Sequence, residues 1–175
     1  MIVRTGIVLM SALLISSHVN ASDDKTIYVG ASKSIVGYDD ANSNTYKVNS
    51  GYIINRHFAL ELNYLNLGES SPFDGSGTLQ ADAFSAEVLA KYPVNDFSFY
   101  AKLGNMWWSE KGERTLWWEE TAPTLQIKNT GSDLIYGVGI SYNITQNFSI
   151  KVEYLESKVN NQTANPLSLG LDFAF

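Results

Sequence analysis

The sequence predicts an all-β chain, closed as an eight-stranded antiparallel up-and-down β-barrel. Three observations predict it. The last stretch alternates strictly: Leu167, Leu169, Leu171, Phe173 and Phe175 are apolar, and Ser168, Gly170, Asp172 and Ala174 between them are small or polar. Period two means an extended strand with one apolar face. Seven further stretches of this kind precede it, joined by connections that alternate long and short. Finally, so apolar a terminal strand needs its edge covered, because an unpaired edge invites aggregation and closure into a barrel abolishes it.

The chain opens with Arg4, an apolar core from Gly6 to Ile15, and small residues up to a Val19-Asn20-Ala21 site. A positive start, a short apolar run and a small-residue cleavage site describe a secretory signal over residues 1–21. The run is well short of the ~20 residues a spanning helix needs. The mature domain is then 22–175, and removal of Arg4 takes the net charge from −6 to −7. With no cysteine in the chain, an exported domain must be held by something other than disulfides. The acidic balance argues against a nucleic-acid partner.

Strand one begins at Thr26-Ile27-Tyr28-Val29, and a polar connection covers 37–44. Strand two runs near Thr45 to Ile54 with Tyr46, Val48, Tyr52 and Ile54 in phase. After an Asn55-Arg56-His57 turn, strand three alternates Phe58, Leu60, Leu62 and Tyr64 with Ala59, Glu61 and Asn63. A Ser/Gly/Pro-rich loop follows over 69–79. Strand four sets Phe84, Ala86, Val88, Ala90 and Tyr92 against Ser85, Glu87, Leu89 and Lys91. A turn at 93–96 leads to strand five, with Phe97, Phe99, Ala101, Leu103 and Trp107 on one face and Ser98, Tyr100, Lys102 and Gly104 on the other. The longest connection is placed at 109–132. Strand six alternates Leu134, Tyr136, Val138, Ile140 and Tyr142 with Ile135, Gly137, Gly139 and Ser141. Strand seven sets Phe148, Ile150, Val152 and Tyr154 against Ser149, Lys151, Glu153 and Leu155. A loop at 157–165 returns to strand eight.

An even strand number, brief turns at one end and longer loops at the other are the pattern of bacterial outer-membrane barrels. Alternation alone leaves the apolar face facing either lipid or an interior, since a soluble barrel carries the same period inverted. The opposite set, with Gly104, Gly137, Gly139, Gly170, Ser141 and Ala174, is too small and sparsely charged for a water-washed surface and suits a crowded interior. Aromatics gather at strand ends, where Tyr52, Tyr92, Tyr142 and Phe175 mark one interfacial ring. The expected fold is therefore transmembrane, with the Leu/Val/Phe face toward lipid.

Inward charges are then the chemistry of the strands: Glu61, Glu87, Lys91, Lys102, Lys151, Glu153 and Asp172. A lone charge in a dry interior costs several kcal/mol, so these must pair or meet water. They read as a structural ion-pair plug or as a gated narrow pore whose pairs break to conduct.

The pieces Tyr28-Val29-Gly30-Ala31, Ala59-Leu60-Glu61-Leu62-Asn63-Tyr64, Phe99-Tyr100-Ala101-Lys102-Leu103-Gly104-Asn105-Met106, Lys151-Val152-Glu153-Tyr154 and Leu167-Ser168-Leu169-Gly170, in that order and spacing, resemble the transmembrane domain of the OmpA family. The resemblance implies a polar, water-pocketed lumen blocked by a pair at Glu61 and Lys151, with Lys102 and Glu153 nearby. The family's strand-four lysine, on which a proposed gating switch relies, falls near Leu89 here. The family's peptidoglycan-binding half has no counterpart, so a cell-wall tether is not expected. The resemblance also implies recognition of the C-terminal strand, ending at Phe175, by the barrel-assembly machinery.

All four tryptophans lie in two pairs around a charged turn: Trp107-Trp108 and Trp117-Trp118, with Arg114 between. Trp107 and Trp108 suit an outer-interface belt. Trp117, Trp118 and Arg114 suit either a hairpin above the membrane or a ligand-contacting loop, since Trp beside Arg is typical of binding hot spots. A lipid-modifying enzyme would need a His with Ser and an acid. The mature chain has a single histidine, His57, at the turn end, and no His/Cys metal cluster or phosphate-cradling loop. No catalytic residue, cofactor or metal is assigned. The sequence thus points to a monomeric outer-membrane barrel with a structural or surface-interaction role. Membrane lipids, lipopolysaccharide and host or phage surface ligands are the candidate partners. A low-conductance pore and a lipid-modifying enzyme are the rivals.

Overall fold

The computed structural model describes residues 26–38, 41–70, 77–115, 124–159 and 162–175; the expected signal segment and Trp117 and Trp118 lie outside them. Eight strands follow in order: β1 (Ile27–Tyr38), β2 (Ala41–Asn55), β3 (Phe58–Ser70), β4 (Gly77–Val94), β5 (Phe97–Thr115), β6 (Thr124–Asn143), β7 (Phe148–Val159) and β8 (Gln162–Ala174). Each pairs antiparallel with its chain neighbour, and β1 pairs with β8 to close the barrel.

Local chemistry explains the tight ends. The Asn55 side-chain oxygen accepts hydrogen bonds from the His57 and Phe58 amides at 2.8 and 2.9 Å, folding the β2–β3 turn. Asn95 takes a left-handed φ of 54° between β4 and β5, a conformation asparagine tolerates better than most side chains. Thr145 Oγ1 accepts from the Asn147 and Phe148 amides in the β6–β7 turn.

At the other end the strands run well beyond the expected limits. The connection expected over 109–132 is mostly ladder, paired from Ser109↔Thr130 up to Thr115↔Thr124. Likewise β1 and β2 pair up to Tyr38↔Ala41, and β4 begins at Gly77. The physical reason is that a hairpin standing clear of the bilayer meets water on both faces. Hydrophobic alternation, the signal for a strand, vanishes there while the backbone hydrogen bonds persist.

Side chains alternate as the period requires. Leu62, Phe84, Leu103, Leu134, Val138 and Leu169 stand on the outer surface and are exposed, whereas Lys47, Glu61, Lys102, Lys151 and Glu153 point inward and are buried. Exposed aliphatics around buried charges are the inverse of a water-soluble barrel, and they suit a hydrocarbon solvent.

Candidate functional site

The interior is built in layers, and register sets them. Tyr28 on β1 lies beside Gly51 on β2, which lies beside Glu61 on β3. The same triplet recurs four strands on: Tyr100 on β5, Gly139 on β6 and Glu153 on β7. In each, the tyrosine ring lies across the glycine and its hydroxyl donates to the glutamate, at 2.6 Å for Tyr28–Glu61 and 2.9 Å for Tyr100–Glu153. A Cβ at Gly51 would stand 2.0 Å from Tyr28 Cζ, and one at Gly139 would stand 2.4 Å from Tyr100 Cζ. Only glycine leaves room for the crossing.

Lys102 joins the two triplets. Its Nζ is 2.5 Å from Glu61 Oε1 and 2.5 Å from Glu153 Oε1, with Glu87 Oε2 farther away at 3.9 Å. Lys47 forms a further ion pair with Glu153. Glu87 Oε1 accepts from Asn63 and Ser85. Lys151 pairs with Asp172 at 2.8 Å and donates to Asn49 Oδ1 at 3.0 Å, and Asn49 also donates to Asp172. The groups come from opposite walls, so the network crosses the lumen from side to side. Breaking one partner of such a buried set strands an uncompensated charge.

The Glu61–Lys151 pair implied by the resemblance is not formed. Asp172, on the strand next to Lys151, holds that lysine, and Glu61 turns to Lys102 instead. Lys102 itself sits in register beside Leu89, the position where the family's lysine would fall. The polar lumen implied by the resemblance is only one part of the interior. Beyond the ionic layer, toward the loops, Leu65, Leu67, Ala83, Met106, Trp108, Ile135 and Leu155 form a buried apolar cluster.

That cluster corrects one more expectation. Trp107 is 52% exposed on the outer face, but Trp108 is only 8% exposed and points inward, where its Nε1 donates to Asp133 at 3.4 Å. Two adjacent residues of a strand cannot both face the membrane interface. Tyr52, Tyr92, Tyr142 and Phe175 stand outward at the turn end, where Phe97 packs on Tyr142 with ring centroids 4.8 Å apart. Arg114 lies in the outer part of β5, its backbone paired with Leu125 and Gly77. His57 lies at the β2–β3 turn, its Nε2 accepting from Arg56 Nε at 3.0 Å.

Lys47, Asn49, Tyr28 and Tyr100 are among the members of the network that sequence reasoning did not assign. Lys47 was legible, since it falls between Tyr46 and Val48 on an alternating strand. The tyrosines were not, because a tyrosine on an inward face carries no mark of the glutamate it will meet two strands away.

Comparison with known proteins agrees with this architecture. The chain is 29% identical over 108 residues to outer membrane protein A of Serratia marcescens, a match covering 59% of this chain and 29% of that protein's length. Among solved structures it resembles Ail, the attachment invasion locus protein of Yersinia pestis, at 18% identity and a TM-score of 0.59, covering 86% of this chain and 97% of that one. It also resembles the N-terminal β-barrel domain of Pseudomonas aeruginosa OprF at 17% identity and a TM-score of 0.56, covering 85% and 97%. The family model for the outer membrane protein beta-barrel domain matches residues 6–175; the chain belongs to that family and resides in the bacterial outer membrane.

Proposed function

We propose that this small outer-membrane barrel is closed to solute flow and acts at the cell surface, through the strands it raises above the bilayer. The observation that carries the reading is the double closure of the lumen: the ionic network centred on Lys102, then the apolar cluster around Trp108. An eight-stranded barrel is narrow enough to be filled by its own side chains. About 9–11 residues suffice for a strand to cross, whereas β5 has 19 and β6 has 20. The surplus forms a raised sheet.

Along Thr124–Leu134, β6 pairs with β5, and among the described residues β7 joins it only from Ile135. An open strand edge offers backbone donors and acceptors to an extended segment of a partner. The candidate contact residues Arg114, Trp117 and Trp118 belong to this hairpin in sequence. Lipopolysaccharide, host and phage surfaces are the partner classes within its reach.

A narrow pore is the second reading, favoured by one feature: Glu87 Oε2 has no hydrogen-bond partner among the described residues and lies 3.9 Å from Lys102, an alternative acceptor if the network rearranged. Planar-bilayer recording of the purified barrel separates the two. The closed reading expects no discrete conductance. Steps that change with Lys102→Met would establish the pore. Binding of the barrel to lipopolysaccharide or to host cells, lost on shortening the β5–β6 hairpin, tests the surface role directly.

A further inference from the structure

At the turn end of the lumen, beneath the ionic layer, a cavity of about 220 Å³ opens between the strand ends, which face the periplasm in barrels of this kind. That is room for several waters or for one small anion with part of its hydration. Its charged lining is Arg56, Lys91, Lys151, Glu61, Glu153 and Asp172. The three carboxylates are already engaged: Glu61 by Lys102 and Tyr28, Glu153 by Lys102, Lys47 and Tyr100, and Asp172 by Lys151 and Asn49. Two of the cations are not. Among the described residues neither Lys91 nor Arg56 forms a salt bridge.

Lys91 reaches over the lumen, its Nζ 5.2 Å from the centre of the Tyr28 ring on a different strand, and the cation–π contact holds the ammonium in place without neutralising it. Arg56 uses Nε on His57, leaving its terminal N–H fork for another acceptor. Ser98, Ser141 and Ser149 supply hydroxyls around the same space. The lining carries three cations and three carboxylates, and with the carboxylates paired, Lys91 and Arg56 are the charges left to face the space between low-dielectric walls, an arrangement that favours an entering anion.

We propose that this vestibule binds a small oxyanion, a phosphate or carboxylate group arriving from the periplasmic side, between Lys91 and Arg56. Charge-assisted hydrogen bonds from an ammonium and a guanidinium fork are the strong contacts for such groups. The site is separate from the raised sheet, so its failure would leave the surface reading standing.

The test is a titration of the full barrel, labelled at lysine for NMR, with inorganic phosphate at constant ionic strength and with chloride as the reference anion. A saturable shift of the Lys91 side-chain signal is expected with phosphate and not with chloride. Read from the side-chain signal of Lys151, which lines the same cavity, Lys91→Gln and Arg56→Gln should each weaken binding about tenfold or more, and Lys91→Arg should retain it. Arg56 lies on an exposed turn, so its replacement tests the site without risk to folding. Running the titration in maltoside micelles and in phospholipid nanodiscs identifies the source. Saturation in both assigns the site to a free solute, and saturation in micelles alone assigns it to a lipid headgroup phosphate. Silence in both, an equal response to chloride, or unchanged binding in both Gln variants would overturn the proposal.

Discussion

The Tyr28 hydroxyl donates a 2.6 Å hydrogen bond to Glu61 although their strands, β1 and β3, do not pair. The ring reaches over Gly51 on the intervening strand, and Tyr100 reaches Glu153 over Gly139 in the same way. Each half of the barrel therefore presents one tyrosine-supported carboxylate to the centre, and Lys102 links the two. The lock depends on two absent side chains as much as on the charged ones.

Gly51→Ala and Gly139→Ala test that dependence. Each new methyl would collide with a tyrosine ring, and overpacking of this kind costs about 1–3 kcal/mol. Denaturant unfolding in micelles should show both variants destabilised, with Tyr28→Phe in the Gly51→Ala background adding little. Wild-type stability in both would mean that the rings have slack that the structure does not show.

Lys102→Met should be the most damaging single change in the ionic layer. It leaves Glu61 and Glu153 facing each other with their central cation gone, and removing one partner of a buried pair costs about 3–5 kcal/mol. Adding Glu61→Gln should restore part of the loss, because the stranded carboxylate is then neutral. The same unfolding transitions measure both; a double variant less stable than the single would contradict the pairing.

The two neighbouring tryptophans should behave as residues of different phases. In variants keeping one tryptophan each, Trp107 fluorescence should be quenched by brominated lipid and Trp108 should be shielded. Trp108→Ala opens a cavity in the apolar cluster, with a cost of about 3–5 kcal/mol. Trp107→Ala should cost about 1 kcal/mol or less. Equal quenching of the pair would argue against the inward placement of Trp108.

On the outer wall, Val138 is 59% exposed, five residues from the turn end of β6. Arginine there should reduce folding stability in bilayers by about 2–4 kcal/mol if hydrocarbon surrounds it. Lys128→Arg, on the raised part of β6, should leave stability unchanged. A Val138→Arg barrel that folds as well as the wild type would mean that water reaches this face.

Alternation was enough, from residues alone, to predict eight strands, the short turns at Arg56-His57 and Asn95-Asp96, and that Phe84, Leu103 and Leu169 share one face, because period two is a local property of the chain; that this face meets lipid followed from the small, sparsely charged set opposite it. It also turned Glu61, Lys102, Lys151 and Glu153 inward. It could not choose partners among them. Whether Glu61 meets Lys151 or Lys102 depends on the register of strands far apart in sequence and on where Gly51 and Gly139 let a tyrosine cross, and those are settled only when the barrel closes. The raised β5–β6 sheet was hidden for a different reason: once both faces of a strand meet water, backbone pairing continues but its hydrophobic signature does not.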